Sequence, residues 1–222
     1  KKFRIIIMQA VLFGGTGLTG GCILNLLKND SDFKSIIVVS RKIFTHSSNK
    51  ISNKVIDFSD PVEIESCIKK DSIVFSCIGT TQAQVKGDKK KYREIDFDIT
   101  LNIANACKKL NAKKFLFISS GGANSSSANF YLKLKGEIED AVIKIKNNSL
   151  FILKPSLLLG KRNNSRFIEN IGQIIMPLFS ILLPESIKAI DATTVAKCML
   201  ELSKSDLSNL NIIENKEILS YR

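Results

Sequence analysis

The stretch AVLFGGTGLTGG, Ala10 to Gly21, constrains the fold more than any other part of the chain. A short apolar run meets a cluster of glycines and passes directly into LTGGCILNLLKN (18–29). There Leu18, Cys22 and Leu26, with Ile23 and Leu27, recur at helical spacing. Strand, glycine turn and helix form a unit with a physical use. The first turn of a helix carries backbone N–H groups without intrahelical partners, and the helix dipole is positive there, so a phosphate is held well. The glycines read in two registers, G-x-G-x-x-G from Gly15, Gly17 and Gly20, or G-x-x-G-x-x-G from Gly14, Gly17 and Gly20. A P-loop counted from Gly15 needs a lysine at position 21, and Gly21 stands there, which excludes the ATPase reading.

The rest of the chain repeats the alternation. QAVLF (9–13), SIIVVS (35–40), KVIDF (54–58), DSIVFSCIG (71–79), KKFLFISS (113–120) and SLFILKPS (149–156) are apolar runs of strand length. Between them, Asp60-Pro61 opens a helix with Glu63 and Glu65 in its first turn. A longer helix is expected over 89–110, with Ile95, Ile99, Ile103 and Ala106 on one stripe, and another over 128–146, with Leu134, Ile138, Val142 and Ile145. Such alternation predicts an α/β fold, a doubly wound parallel sheet of the Rossmann type. One NAD(P)-binding domain is expected over 1–222, with a small substrate or lid lobe at about 157–190 and a helix over 192–203. LNIIENKEILSYR, at the end, is expected to add a last strand. The apolar stretch IIMPLFSILLP, broken by Pro177 and ending at Pro184, is too short to span a membrane. It reads as a lid, an interface or a surface-seeking segment.

Composition narrows the function. The net charge is +12, but 27 of the 33 basic residues are Lys and are scattered, which describes a solvated surface. Arginine, the residue suited to bidentate recognition, is scarce, so nucleic-acid binding is the weakest of the readings. Five cysteines at 22, 67, 77, 107 and 198 form no C-x-x-C, which argues against a disulfide framework or a zinc site and suggests a reducing, cytoplasmic setting. No secretory leader is read before the glycine loop. A single histidine, His46, leaves no material for His-based triads or His-rich metal sites, so no metal is expected.

Candidate site residues fall at the strand ends. An NAD-selective fold carries an acid about 20 residues past the loop to bind the ribose 2′-hydroxyl. Here Ser40-Arg41-Lys42 stands instead, and the two cations suit a 2′-phosphate, favouring NADP(H) over NAD(H). Asp57, beside Phe58, closes the third strand and forms D-x-x-D with Asp60; it is suited to accept from an adenine amine, and Asp60 equally to cap the next helix. Cys77, Ile78, Gly79 and Thr80 follow the fourth strand at the carboxyl edge, where ligands bind. Tyr131 and Lys135 lie four apart on one helix face, about a dozen residues after a strand ending in Ser119-Ser120. A carbonyl that takes up hydride also needs a proton. A phenol titrating near 10 gives one at neutral pH only when a neighbour such as an ammonium lowers its pKa. Gly136, next to the lysine, is suited to close helix packing.

GGTGLTGG, SRK, CIGTT, FISSGGANSSSANFYLKLKGEIE and KPSLLLG together resemble the extended and atypical short-chain dehydrogenase/reductases. They are most similar to the Tat-interacting oxidoreductase-like, NADPH-binding family. The resemblance covers nearly the whole chain and implies a Rossmann domain binding NADP(H). It implies the glycine register beginning at Gly14, with Thr16, Gly17, Leu18, Thr19 and Gly20 at the cofactor. It further implies Tyr131 as proton donor, Lys135 as its partner, either Ser119 or Ser120 as third member, and Pro155 and Ser156 near the nicotinamide. Two functions are compatible with it. One is an oxidoreductase acting on a small carbonyl-like substrate. The other is a non-catalytic NADPH-binding regulator that engages a macromolecular partner. A homodimer or protein partner is compatible with either.

Overall fold

A computed structural model of the chain describes residues 8–160 and 184–222. Its strands are β1 (Met8–Phe13), β2 (Phe33–Ser40), β3 (Ile51–Val55), β4 (Ile73–Ser76), β5 (Lys114–Ile118), β6 (Ser149–Lys154), the short β7 (Leu158–Leu159) and β8 (Ile190–Asp191), and β9 (Asn209–Glu214). The helices are α1 (Leu18–Asn29), α2 (Pro61–Glu65), α3 (Lys89–Arg93), α4 (Ile99–Lys109), α5 (Phe130–Ile145), α6 (Ala192–Lys204) and α7 (Asn215–Leu219). A π-helical turn, Glu94–Asp98, joins α3 to α4.

Seven strands form one sheet in the order β3-β2-β1-β4-β5-β6-β9, and every pairing is parallel. Parallel strands covered on both faces need apolar side chains on both, which is why the strands read as unbroken runs. Alternate residues feed opposite layers. Val11, Phe13, Val74, Phe115, Phe117 and Ile152 join the core under α4 and α5. Ala10, Leu12, Phe75, Leu116, Phe151 and Leu153 join the core that α1 and α6 contribute to. The strand order reverses between β1 and β4, and a crevice at such a switch point is where a doubly wound sheet holds its ligand.

The doubly wound architecture stands as expected, with four refinements. The third strand covers Ile51–Val55 and not 54–58, so Asp57 and Phe58 lie beyond it. The fourth strand ends at Ser76, so Cys77 to Thr80 are loop. The helix expected over 89–110 is interrupted by the π turn, whose extra residue rotates the chain and carries Asp96 inward to 1% exposure. The C-terminal run is β9 followed by the short helix α7. The lobe expected at about 157–190 and the apolar run within it lie largely outside the described residues; β7 and β8, which pair in parallel, stand at its two ends.

Gly136 seats α5. A Cβ at that position would lie 2.1 Å from the Ser125 backbone nitrogen and 2.3 Å from the Asn124 carbonyl carbon, so the helix rests directly on the 124–125 backbone. Gly136→Ala is expected to cost about 3 kcal/mol by overpacking, which lowers the melting temperature by roughly 6–12 °C. A thermal melt against wild type checks this.

Candidate active site

The glycines of the loop differ in what they lie against, Gly15 facing side chains and Gly14 and Gly20 facing backbone. Gly14 has φ +80° and lies against the next strand's end, where a Cβ would come 2.7 Å from the Cys77 carbonyl oxygen. A Cβ on Gly20 would come 2.0 Å from the Gly14 carbonyl oxygen, and the Gly17 N–H donates to that same oxygen at 2.9 Å. Gly14, Gly17 and Gly20 are thus the three that close the turn on itself. Gly17 is the N-cap of α1 and has no side chain to satisfy the first-turn N–H groups of Leu18, Thr19 and Gly20. Thr16 is exposed beside them and Thr19 is buried.

Arg41 and Lys42 are exposed just past the end of β2. Their turn is held by Ser40, whose hydroxyl donates to the Lys42 carbonyl at 2.7 Å and accepts from Asn53 Nδ2 at 2.7 Å. Asp57 is exposed, and its carboxylate accepts from the Ser59 N–H at 2.9 Å and the Ser59 hydroxyl at 2.7 Å. These two bonds hold its pKa below the usual carboxylate value. Asp60 caps α2 through the Val62 N–H. Phe58 is buried, with its ring edge-to-face on Phe13 at 6.2 Å. Its side chain is part of the core.

Beyond β4, the peptide of Thr80 is gripped from both sides. Its N–H donates to Asp96 Oδ1 at 2.8 Å, and its carbonyl accepts from the Tyr92 hydroxyl at 2.9 Å. The Cys77 thiol is pushed up to about 12 by burial and the nearby Cys22, so it is no nucleophile at neutral pH.

Tyr131 and Lys135 stand in the first two turns of α5, which Asn129 caps through the Leu132 N–H. The Tyr131 ring packs at a steep angle on Tyr92, 6.4 Å between centroids. Lys135 is buried; its Nζ lies 2.7 Å from Asp96 Oδ2 and 5.9 Å from the centre of the Tyr131 ring. Burial works against its charge, but Asp96 and then Tyr131 outweigh it, and the ammonium titrates above its ordinary value. The two serines part company. Ser119 is buried and its hydroxyl donates to Glu139, which Lys154 also contacts at 3.1 Å. Burial raises the Glu139 carboxyl above its usual value, against the pull of Ser119 and Lys154. Ser120 is half-buried, its hydroxyl 3.3 Å from the Gly121 carbonyl. Pro155 accepts from the Gly121 N–H at 2.7 Å. Ser156 is turned toward the returning chain, with its N–H on Asn215 Oδ1 at 2.9 Å and its hydroxyl on the Lys188 carbonyl.

Asp96, Tyr92 and Glu139 are the residues sequence reasoning missed. The one visible signal was a carboxylate between the apolar positions Ile95, Phe97 and Ile99.

These features define an NAD(P)H-binding Rossmann protein of oxidoreductase type. A family model described as NAD(P)H-binding matches residues 14–159. The chain is 32% identical over 209 residues to protein FMP52, mitochondrial, of Candida albicans, covering 90% of each. It is 36% identical over 165 residues to FMP52-1, mitochondrial, of Scheffersomyces stipitis, 73% of each, and 29% identical to HTATIP2 of Rattus norvegicus over 99% of this chain and 91% of that one. Among solved structures, UDP-N-acetylglucosamine 4-epimerase of Methanobrevibacter ruminantium superposes with a TM-score of 0.73 at 18% identity, covering 94% of this chain and 76% of that one. The chain belongs to the NAD(P)H-binding family, as an atypical short-chain dehydrogenase/reductase of the HTATIP2 and FMP52 kind.

The comparisons correct the cytoplasmic expectation, because the fungal relatives are named mitochondrial. The spacing of the five cysteines does not say which compartment holds the chain. Among the described residues, no helix is long and apolar enough to cross a membrane.

The loop geometry separates two adjacent glycines. Gly20→Ala is expected to spring the loop and abolish cofactor binding. Gly21→Ala, whose Cβ meets nothing closer than 3.9 Å, is expected to be neutral or to stabilise by up to about 1 kcal/mol. Thermal melts with and without nicotinamide cofactor distinguish the two.

Proposed function

We propose that this chain is an NADP(H)-dependent reductase of a small carbonyl-like substrate, with Tyr131 as the proton donor. The observation that carries the reading is the placement of Tyr131 and the Lys135 ammonium on α5, beside the Thr80 loop, at the carboxyl edge of the sheet whose first strand ends in the glycine loop. The residues fit the cofactor. Gly14 and Gly20 let the turn pack tightly where a Cβ would strike backbone, α1 has no side-chain cap on its first N–H groups, and Arg41 and Lys42 offer two exposed cations. Gly14, Thr16, Gly17, Leu18, Thr19 and Gly20 would hold the pyrophosphate, Arg41 and Lys42 the 2′-phosphate, and the Cys77–Thr80 loop and Lys135 the ribose next to the nicotinamide. Asp57 and the Phe58 backbone are the groups on the adenine side.

When bound, NADPH supplies the hydride that reduces the carbonyl carbon. Tyr131 gives its phenolic proton to the carbonyl oxygen, the product is an alcohol, and the phenolate regains a proton from solvent. Lys135 stabilises that phenolate. Ser120, whose hydroxyl has only a long contact of 3.3 Å, orients the substrate oxygen, whereas Ser119 is committed to Glu139. Relatives named mitochondrial support a mitochondrial setting for this chemistry.

Calorimetric titration is expected to show tighter binding of NADPH than of NADH. Arg41→Ala should weaken NADPH binding at least tenfold, the loss of one charge-assisted hydrogen bond of about 1.5–3 kcal/mol, and leave NADH unchanged. In a panel of small aldehydes and ketones, Tyr131→Phe should lower kcat by a factor of about 10²–10⁴. Turnover undiminished in Tyr131→Phe would remove the assigned role.

A further inference from the structure

We infer that Asn53 is a positioning residue for cofactor selectivity: its side-chain amide holds, from both ends, the turn that carries Arg41 and Lys42. The inference rests on the proposed NADP(H) site and adds what keeps its two cations in place. In the register of β2 and β3, Ile36 pairs with Ile51 and Val38 with Asn53. Ile36, Val38 and Ile51 all enter the core on the α1 side of the sheet. The pleat puts Asn53 on that same face, where the alternation calls for another apolar residue. Asn is disfavoured in strands, and an amide taken from water costs free energy unless it is hydrogen-bonded. Here it is bonded at both ends. Nδ2 donates to the Val38 carbonyl at 3.0 Å and to the Ser40 hydroxyl at 2.7 Å, and Oδ1 accepts the Phe44 N–H at 3.2 Å. Ser40 in turn donates to the Lys42 carbonyl at 2.7 Å.

One end of the amide thus reaches the Lys42 carbonyl through Ser40, and the other fixes Phe44, so Arg41 to Ile43 are bracketed. Among the described residues, no other hydrogen bond reaches residues 41–47. Arg41 and Lys42 are exposed and Ile43 is 85% exposed, so packing does not hold the tip of the turn either. The arrangement is specific to an amide, which carries a donor and an acceptor on one planar group. A carboxylate would set oxygen against the Val38 carbonyl, and an apolar side chain would supply neither bond. Without the amide both cations remain, but the turn has to be ordered each time a 2′-phosphate binds, and that weakens binding. NADH has no 2′-phosphate and does not draw on the turn.

Asn53→Leu is close in size and suits the apolar face beside Ile51. Calorimetric titration is expected to show NADPH affinity lowered about tenfold in this variant and NADH affinity changed by less than about twofold. Asn53→Thr, a better strand former, takes its place if Asn53→Leu does not fold. Added to Arg41→Ala/Lys42→Ala, Asn53→Leu should change NADPH affinity by less than about twofold, because no cation is left to place, whereas a general loss of stability would still show there. In cofactor-free protein, deuterium exchange at the Phe44 N–H, followed by NMR, should be at least about tenfold faster in Asn53→Leu, with the β1 amides unchanged. Equal losses of NADPH and NADH affinity, an undiminished NADPH affinity, a full effect in the absence of both cations, or unchanged Phe44 exchange overturns the inference. Wild-type protein that binds NADPH no tighter than NADH overturns the NADP(H) assignment instead, while the Phe44 exchange still decides whether Asn53 holds the turn.

Discussion

In a parallel sheet covered on both faces, the ends of the strands are the economical place for charge. Residues Ala10 to Phe13 of β1 have no exposed surface at all, and β4, β5 and β6 are nearly as enclosed. An unpaired charge along their length would sit among apolar side chains at prohibitive cost. The chemistry of this fold is therefore set by where each strand stops, at Phe13, Ser76, Ile118 and Lys154, because the next residues leave the sheet. Gly14, Cys77, Ser119 and Pro155 are those next residues, and the glycine loop, the Thr80 loop, the serines and the KPS turn meet along one edge as a result.

The helix that carries Tyr131 obeys the same constraint from the outside. Lys135 and Glu139 lie one turn apart on α5, and both are buried. Their partners come from opposite sides, Asp96 from the π turn and Ser119 with Lys154 from the strand ends. The apolar residues Leu134, Ile138 and Val142 of the same helix enter the core. A rotation of α5 by one residue would strip both charges of their partners while exposing that apolar stripe. The polar pairs thus act less as a source of stability than as a lock on the azimuth of the helix, and Gly136 sets its height above the 124–125 backbone.

The glycine turn and the first six strands were legible because each follows a pattern written in consecutive residues. What escaped was decided by geometry between elements. Cys77 to Gly79 continue an apolar run, so the fourth strand read three residues too long; it stops where its partner β1 stops, with Ser76 paired to Phe13. The sequence EIDFDIT carries a helical stripe, and nothing in it announces a π turn or that Asp96 faces inward. Ser119 and Ser120 were indistinguishable as neighbours. The pleat separates them, since successive residues at a strand end point to opposite sides, and the side of Ser119 is occupied by Glu139.

The turn beyond β6 shows the same limit most fully. Ser156, expected near the nicotinamide, has its N–H and hydroxyl held by Asn215 and Lys188. Asn215 is 1% exposed; its Oδ1 accepts from Ser156, and its Nδ2 donates to the carbonyls of Glu185 and Lys188. One amide near the end of the chain therefore ties the KPS turn to the segment that returns into α6. In the sequence it stands in IIENKE, among charges, and reads as surface. Its burial follows from β9 pairing in parallel beside β6, with Glu214 opposite Lys154, which delivers residue 215 to the carboxyl edge. The KPS turn is thus fixed from the C-terminal end of the chain, some sixty residues away.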